Sequence, residues 1–180
     1  GDDSYQAGFL AGQCLAQNGH KHIGVVEWNG QVSSAVERDL GFYDAVREQM
    51  EQGGSMEVES SGDLSIEEGY RLTKALLQRA RPTALFFGYH RHAQGGVQYL
   101  SGYSIPEDIS VIMVGTPAWA NLSNPAIHRV YQHEEWVGTT AGRILMAQIK
   151  GEVSPLLREK RHVCPCTLIK GTSVKDLTCT

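Results

Sequence analysis

The stretch SIPEDISVIMVGTPAW, residues 104–119, contains the strand on which the fold assignment depends. The segment IPED, residues 105–108, has the composition of a turn, and the apolar, β-branched run ISVIMVG, residues 109–115, predicts a buried strand. The tip that follows, Gly115-Thr116-Pro117, carries no carboxylate. If this tip binds a polyhydroxylated ligand, the carboxylates that accept the ligand's hydroxyl protons must come from elsewhere in the chain.

Helical and strand patterns alternate before this strand. Ser65 and Glu68 have the spacing of a capping box, and Ser33 or Ser34 is a candidate cap for the preceding helix. The predicted elements are helices at 4–18, 33–50, 65–79 and 93–101, and strands at 22–28, 56–60, 83–88 and 109–115. Helical crossovers between strands predict an α/β fold, an open parallel sheet with helices on both faces.

The last third of the chain departs from this alternation. Residues 128–132 form a short polar strand or a crossing segment, and residues 133–150 have a helical pattern that Gly151 ends. The final strand lies within VCPCTLIKG, where Pro165 indicates an edge strand or a bulge.

The composition is that of an ordinary globular protein. The 180 residues are 41% hydrophobic and 20% charged, with a net charge of −4, which argues against nucleic-acid binding by this piece alone. No apolar run approaches the roughly 20 residues of a membrane span, and GDDSYQAGF does not resemble a signal peptide. Because Cys164 and Cys166 are too close for an ordinary structural disulfide, we expect reduced thiols in a cytoplasmic protein.

The sequence contains no recognised catalytic motif. Gly-x-Ser-x-Gly, the phosphate-binding loop and His-Glu-x-x-His are all missing, and the glycines of HAQGGVQYLSGY do not follow a strand as a dinucleotide fingerprint would. An enzyme is therefore not expected, and no cofactor is implied.

Polar and aromatic residues follow the predicted strands, where ligands of open parallel sheets bind. His90-Arg91-His92 is a solvated loop, a contact for an anionic group or, least favoured, part of a metal site with His128 or His133. Arg38 is either a surface charge or a contact for a ligand oxygen, and Ser34 is either a helix cap or a ligand contact. The aromatic residues at strand tips either stack on a ligand or pack at a rim; they are Trp28, Tyr89 and Trp119.

An ordered set of segments resembles the effector-binding core of the LacI/GalR family of bacterial transcription regulators. The strongest is IPEDISVI at 105–112; the others are DSYQAG at 3–8, NGHKHI at 18–23, RDLGF at 38–42, PTA at 82–84 and LIKGTS at 168–173. The match extends over nearly the whole chain. The resemblance implies the fold of type I periplasmic binding proteins, a small-molecule effector and a homodimer. It also implies that the operator DNA is bound by a region absent from this chain, which is then N-terminally truncated.

The resemblance also implies a division into subdomains. Residues 1–19 would be a helix of the N-terminal subdomain, 20–130 the C-terminal effector-binding subdomain, 131–151 a returning helix of the N-terminal subdomain, and 152–180 the final strand and tail. Apolar residues of the two helices would then be exposed, among them Phe9, Leu10, Trp136 and Leu145. We hypothesise that the two helices collapse on each other or on a second chain.

Candidate site residues carry over from the family one by one. Asp3 matches a cleft acid, Ser34 and Arg38 match polar contacts, and Arg38 has the best preserved motif. Three positions depart from the family: Leu64 replaces an aromatic ring, Tyr89-His90 replaces Asn-Asp, and Gly115 replaces an acid. The candidate set is Asp3, Ser34, Arg38, Leu64, Tyr89, His90, Arg91 and Thr116.

These departures argue against an ordinary neutral sugar as the ligand. The basic residues expected nearby, Arg38, His90, Arg91 and His92, favour an anionic or nucleobase-like effector, although a degenerate pocket without an effector stays open. The sequence favours the sensor domain of a LacI-type regulator. A solute-binding protein of a transporter is the alternative, and an enzyme on a doubly wound sheet is the least favoured interpretation.

Overall fold

A six-stranded sheet organises the part of the chain that the computed structural model describes, residues 1–151, 156, 158–159 and 162–178. The strands are β1 (His22–Trp28), β2 (Ser55–Ser61), β3 (Ala84–Phe87), β4 (Ser110–Val114), β5 (His128–Tyr131) and β6 (Thr167–Ile169). Their order is β2-β1-β3-β4-β5-β6, and all neighbours are parallel except β5 and β6. The predicted α/β class with a parallel sheet is confirmed, and Pro165 precedes an edge strand.

Five α-helices accompany the sheet in these residues. They are α1 (Ser4–Gln17), α2 (Ser33–Glu51), α3 (Ile66–Arg79), α4 (His90–Tyr99) and α5 (Glu134–Lys150), with short 3₁₀ turns at Leu100–Gly102 and Ala118–Asn121. Most bounds agree with the predicted ones within two residues. The exception is α4, which begins at His90, so the polar triplet predicted to be a loop is the first turn of a helix.

The two predicted serine caps have different outcomes. Ser65 precedes α3 and its hydroxyl accepts a hydrogen bond from the Glu68 amide at 3.2 Å, as predicted. The prediction for α2 is wrong, because the capping position is occupied by Val32, which has no side-chain acceptor. Ser33 and Ser34 already lie inside the first turn, so neither hydroxyl is placed to cap the helix.

Two apolar layers pack on opposite faces of the sheet. The layer under α1 and α2 includes Leu15, Phe42 and Phe86, with the two phenyl rings stacked at a centroid distance of 4.0 Å. The layer under α3 and α4 includes Leu72 and Phe87. Burial of both faces explains why the central strands read as continuous apolar runs in the sequence.

Helix α1 is fully part of this core. Ala7, Ala11 and Leu15 have no exposed surface, and Phe9 and Leu10 are half-buried. The predicted exposure of α1 is therefore wrong, because α1 packs against α2 and the sheet. The division into subdomains stays a prediction.

Helix α5 has a different environment. Trp136 is 42% exposed, Leu145 56% and Ile149 70%, while Ala147 is the one buried residue of this helix. The predicted apolar exposure is confirmed for α5. None of the helices in the described ranges is long and apolar enough to cross a membrane.

The cysteines for which the structure gives a state are buried free thiols: Cys14, Cys164 and Cys166. Burial raises the pKa of the Cys166 thiol to about 11, which disfavours the reactive thiolate. Cys179 lies outside the described residues.

Glycines allow α1 and α2 to touch along their backbones. A Cβ atom at Gly8 would collide with the carbonyl oxygen of Arg38, and one at Gly41 would collide with the carbonyl oxygen of Tyr5. These atoms belong to backbone and cannot swing away as a flexible side chain would. The distance between the two helices therefore depends on the missing side chains at both positions.

We predict that Gly8→Ala lowers the free energy of unfolding by about 1–3 kcal/mol or more, because the methyl group forces α1 away from α2. The matched control is Gly138→Ala in α5, where a Cβ meets nothing within 4 Å. This control should raise stability by up to about 1 kcal/mol through helix propensity. Urea unfolding measures both; equal effects in the two variants would contradict the close packing of α1 on α2.

Candidate functional site

The loops after β1, β2, β3 and β4 meet at one edge of the sheet, because parallel strands place their carboxyl ends together. Trp28 lies opposite Ser61 in the β1–β2 register, and the amide of Asn29 donates to the carbonyl oxygen of Ser61 at 3.1 Å. We call this surface the carboxyl edge.

Arg38 lies in α2 and its side chain crosses to the end of β3. The residue is only 5% exposed, so the interpretation as a surface charge is wrong. Its Nη1 donates to the carbonyl oxygen of Gly88 at 2.9 Å, and its Cζ lies 4.4 Å from the centre of the Tyr89 ring. Its Nε is buried without a hydrogen-bond partner in the described residues. The guanidinium is thus held by a carbonyl and an aromatic face.

The three residues of the His-Arg-His cluster point in different directions. His92 has no exposed surface, and its Nε2 donates to the carbonyl oxygen of Asp63 at 2.7 Å. It therefore fixes the loop that carries Leu64. Arg91 is exposed, and His90 packs over Gly115. No group of three or more metal-ligating side chains comes together within the described ranges.

His90 occupies space that a side chain at position 115 would need. A Cβ built on Gly115 would lie 3.1 Å from His90 Nδ1, and Gly115 has a φ of +106°, a conformation that suits glycine. Burial lowers the pKa of His90, the Arg91 charge lowers it further, and Glu134 opposes both effects. The lowered pKa favours the neutral form of the imidazole.

The remaining candidates take simpler roles. Asp3 is the N-terminal cap of α1, since its Oδ1 accepts from the Gln6 amide at 2.9 Å. Ser34 is half-buried in the first turn of α2, and Leu64 is half-buried after β2. Thr116 lines an open groove, whose other residues are Asn121, Arg129, Tyr131 and Ile169. The structure thus brings Arg38, Tyr89 and His90 to the carboxyl edge around the ends of β3 and β4, whereas Asp3 has a structural bond.

Sequence reasoning missed a pair of carboxylates close to this edge. Glu27 lies near the end of β1, and Tyr43 donates a hydrogen bond to its carboxylate. Asp39 follows Arg38 in α2, and its Oδ1 is buried without a hydrogen-bond partner. The signal was present, because Glu27 is two residues from Val25 and must share its face in a strand.

The environment of these carboxylates disfavours their charge. Burial and, secondarily, the charge of Glu27 raise the pKa of Asp39 to about 7, against a smaller lowering by Arg38. Burial also raises the pKa of Glu27, and the hydrogen bond from Tyr43 opposes this shift. Near neutral pH, Asp39 is therefore partly protonated.

Other proteins resemble this chain in sequence. The sequence profile of the family described as "Periplasmic binding protein-like domain" matches residues 13–174. The chain belongs to this family. It is 32% identical to the HTH-type transcriptional repressor PurR of Pectobacterium carotovorum over 180 residues, covering 97% of the chain and 51% of the repressor. The chain spans about half the length of the curated relatives it matches.

Solved structures agree with this assignment. A LacI-family regulator from Burkhoderia phymatum superimposes with a TM-score of 0.83 at 28% identity, covering 97% of this chain and 62% of that one. A LacI-family regulator from Enterococcus faecium with bound ribose gives a TM-score of 0.84 at 25% identity, covering 98% and 65%. The resemblance to LacI/GalR-type regulators is confirmed, and these relatives are regulators, not enzymes.

We predict that Asp39→Asn stabilises the protein more at pH 8 than at pH 5. The folded chain binds the Asp39 proton more tightly than the unfolded chain, whose aspartate has a pKa near 3.8. The stability that Asp39 provides is thus complete below that value and is lost as the pH rises through about 7. Asparagine keeps the neutral form at every pH, with a gain on the order of 2 kcal/mol at pH 8.

Urea unfolding of both proteins at pH 5 and pH 8 measures this difference. Glu51→Gln is the control, because it removes an exposed carboxylate at the end of the same helix. A gain from Asp39→Asn that is equal at the two pH values would contradict the raised pKa.

Proposed function

We propose that this chain is the effector-binding domain of a LacI-type DNA-binding transcriptional regulator. A small molecule binds at the carboxyl edge, in a cleft between two subdomains, and modulates operator binding by a homodimer. The similarity to repressors and LacI-family regulators supports this proposal over a solute-binding protein of a transporter. Operator contacts belong to a part of the protein outside this chain. The chain itself has a net charge of −4, which is unsuited to DNA binding. Such a regulator acts in the cytoplasm.

Arg38 gives the main support for this proposal, because it is buried and incompletely hydrogen-bonded. A buried guanidinium with an unpartnered Nε retains hydrogen-bonding capacity that the described residues do not use. Burying an incompletely paired charge is costly unless another group completes its interactions. An acceptor oxygen or an anionic group on a small effector would complete them.

The proposed cleft between two subdomains is supported by the incomplete packing of α5. Residues 20–130 provide one wall of the cleft, and the apolar residues of α5 lie where a further part of the protein packs. Trp136, Leu145 and Ile149 are too exposed for a helix that has completed its packing. Effector binding can shift DNA affinity only by the difference between its affinities for the open and closed states.

We predict that an effector found by thermal-shift screening of the complete protein binds roughly ten- to a hundredfold more weakly to Arg38→Gln, the effect of losing one charge-assisted hydrogen bond. The screen compares sugars, sugar phosphates and nucleosides, and calorimetry measures the dissociation constants. The control is Arg71→Gln, since Arg71 pairs with Glu68 on the exposed face of α3.

DNA fragments retained by the protein, sequenced with and without the hit, test the regulatory part. A change in DNA affinity on adding the hit supports the regulator. A neutral hexose that binds wild type and Arg38→Gln equally would remove the role of Arg38. A hit that leaves DNA affinity unchanged, or a protein that retains no specific DNA, would overturn the proposal.

A further inference from the structure

Two consecutive side chains of α2, Arg38 and Asp39, reach the same point at the end of β3. A Cβ atom built on Gly88 would lie 3.9 Å from Arg38 Cδ and also 3.9 Å from Asp39 Oδ1. The guanidinium and the carboxyl group therefore belong to one cluster at the carboxyl edge. Any group that binds to one of them changes the surroundings of the other.

The cation and the acid of this cluster are not joined by their buried polar atoms. Arg38 Nε and Asp39 Oδ1 are both buried, and neither has a hydrogen-bond partner in the described residues. The contacts of the guanidinium are to neutral groups, the carbonyl oxygen of Gly88 and the ring of Tyr89. Asp39 thus influences Arg38 through its charge, and that influence ends when Asp39 is protonated.

A second carboxyl group, that of Glu27 in β1, determines which acid takes a proton first. Tyr43 donates a hydrogen bond to Glu27, and such a bond stabilises the charged form of a carboxylate. Asp39 Oδ1 receives no hydrogen bond. Burial and then the Glu27 charge raise the pKa of Asp39 to about 7, against a smaller lowering by Arg38. Asp39 is therefore the acid that exchanges its proton near neutral pH.

Titratable and charged groups face Asp39 from three parts of the fold. They are Glu27 in β1, Arg38 and Tyr43 in α2, and Tyr89 between β3 and α4. Burial raises the pKa of both tyrosines above the ordinary value, so their hydroxyl groups stay neutral near pH 7. Among these groups Arg38 alone is positive, and its charge is shared by the two carboxyl groups.

An anion that binds Arg38 would change this balance. Its oxygen would complete the hydrogen bonding of Nε, which Asp39 leaves open. It would also bring a further negative charge close to Asp39, and like charges at short distance disfavour the ionised form of each. The Asp39 carboxylate then binds a proton from solvent and becomes a neutral carboxylic acid. No bond of the bound anion is made or broken in this step.

We propose that Asp39 couples the binding of an anionic effector at Arg38 to the uptake of one proton from solvent. This inference rests on the proposed function and specifies how that site is regulated. A ligand whose binding takes up a proton binds more tightly at lower pH, because each binding event favours the other. A neutral effector would bring no charge to Asp39 and would bind equally well on both sides of neutral pH.

Sulfate is the probe for this coupling, because its own charge does not change between pH 6 and pH 8. Calorimetry on the complete protein measures its dissociation constant at both pH values. Two buffers with different ionisation enthalpies are used, so that the difference in heat counts the protons taken up. The variants are Asp39→Asn, Glu27→Gln and Arg38→Gln. Glu51→Gln is the matched control, since Glu51 is an exposed carboxylate at the end of the same helix.

The wild type is expected to bind sulfate roughly tenfold more weakly at pH 8 than at pH 6, because Asp39 has a pKa of about 7 before the anion binds. It should take up about one proton per sulfate at pH 8. Asp39→Asn should bind with the same affinity at both pH values and take up no proton. Glu51→Gln should behave as the wild type does, and Arg38→Gln should lose sulfate binding.

Glu27→Gln gives a second signature that does not require Asp39 to be replaced. This variant removes one of the charges that raise the pKa of Asp39. The pH dependence of sulfate affinity should therefore persist, with its midpoint at a lower pH than in the wild type. An unchanged midpoint would contradict the coupling even if Asp39→Asn does not fold, which circular dichroism reveals.

Three results would overturn the inference. A pH dependence that persists in Asp39→Asn assigns the proton to another group, such as His90. Sulfate affinity that is equal at pH 6 and pH 8, or equal in Arg38→Gln and the wild type, removes the coupling. Failure of sulfate to bind the wild type at either pH removes it as well. In each case the effector-binding function stands if a screened compound still changes DNA affinity, and it fails only if that experiment fails too.

Discussion

The backbone contact between α1 and α2 is the constraint on which the carboxyl edge depends. Gly8 touches the carbonyl oxygen of Arg38 itself, and Gly41 touches the corresponding carbonyl of Tyr5 one turn along. This contact fixes α2 at a short distance from α1 and presses both helices on the sheet. The side chain of Arg38 then reaches Gly88 across the end of β3. A packing requirement between two helices thereby sets the position of a buried cation at the edge.

The same arrangement brings Arg38 close to an aromatic ring and to a carboxylate. Its guanidinium lies 4.4 Å from the centre of the Tyr89 ring, and Tyr89 meets Trp28 edge-to-face. Burial raises the pKa of Asp39 to about 7, although the charge of Arg38 opposes this shift. Because Asp39 is partly protonated near neutral pH, its attraction to Arg38 is weakened. The unpartnered Nε of Arg38 then keeps capacity for an outside acceptor.

Local patterns allowed most elements to be predicted, and long-range contacts explain the exceptions. The strands and the Ser65 cap could be predicted because they depend on residues that are close to one another in the sequence. The start of α4 does not, because HRHAQGG has no helical apolar pattern. The helix forms there since Gly95 packs on the Ile66 carbonyl and His92 bonds the Asp63 carbonyl. Both contacts join residues about 29 positions apart, which a local reading cannot detect.

Part of the candidate site could also be predicted from the sequence. Arg38 was recognisable from its motif, whereas its contact with Tyr89 and the place of Glu27 required the register of α2 on the sheet. Gly115 shows the limit most clearly. In the sequence, Gly115 stands where the resemblance to the LacI/GalR family implies an acid. In three dimensions the ring of His90 lies against Gly115, so these two departures from the family pattern are in contact. An acid at position 115 would require the His90 ring to move, because a Cβ there would lie 3.1 Å from its Nδ1, and it would also place a non-glycine residue at a φ of +106°.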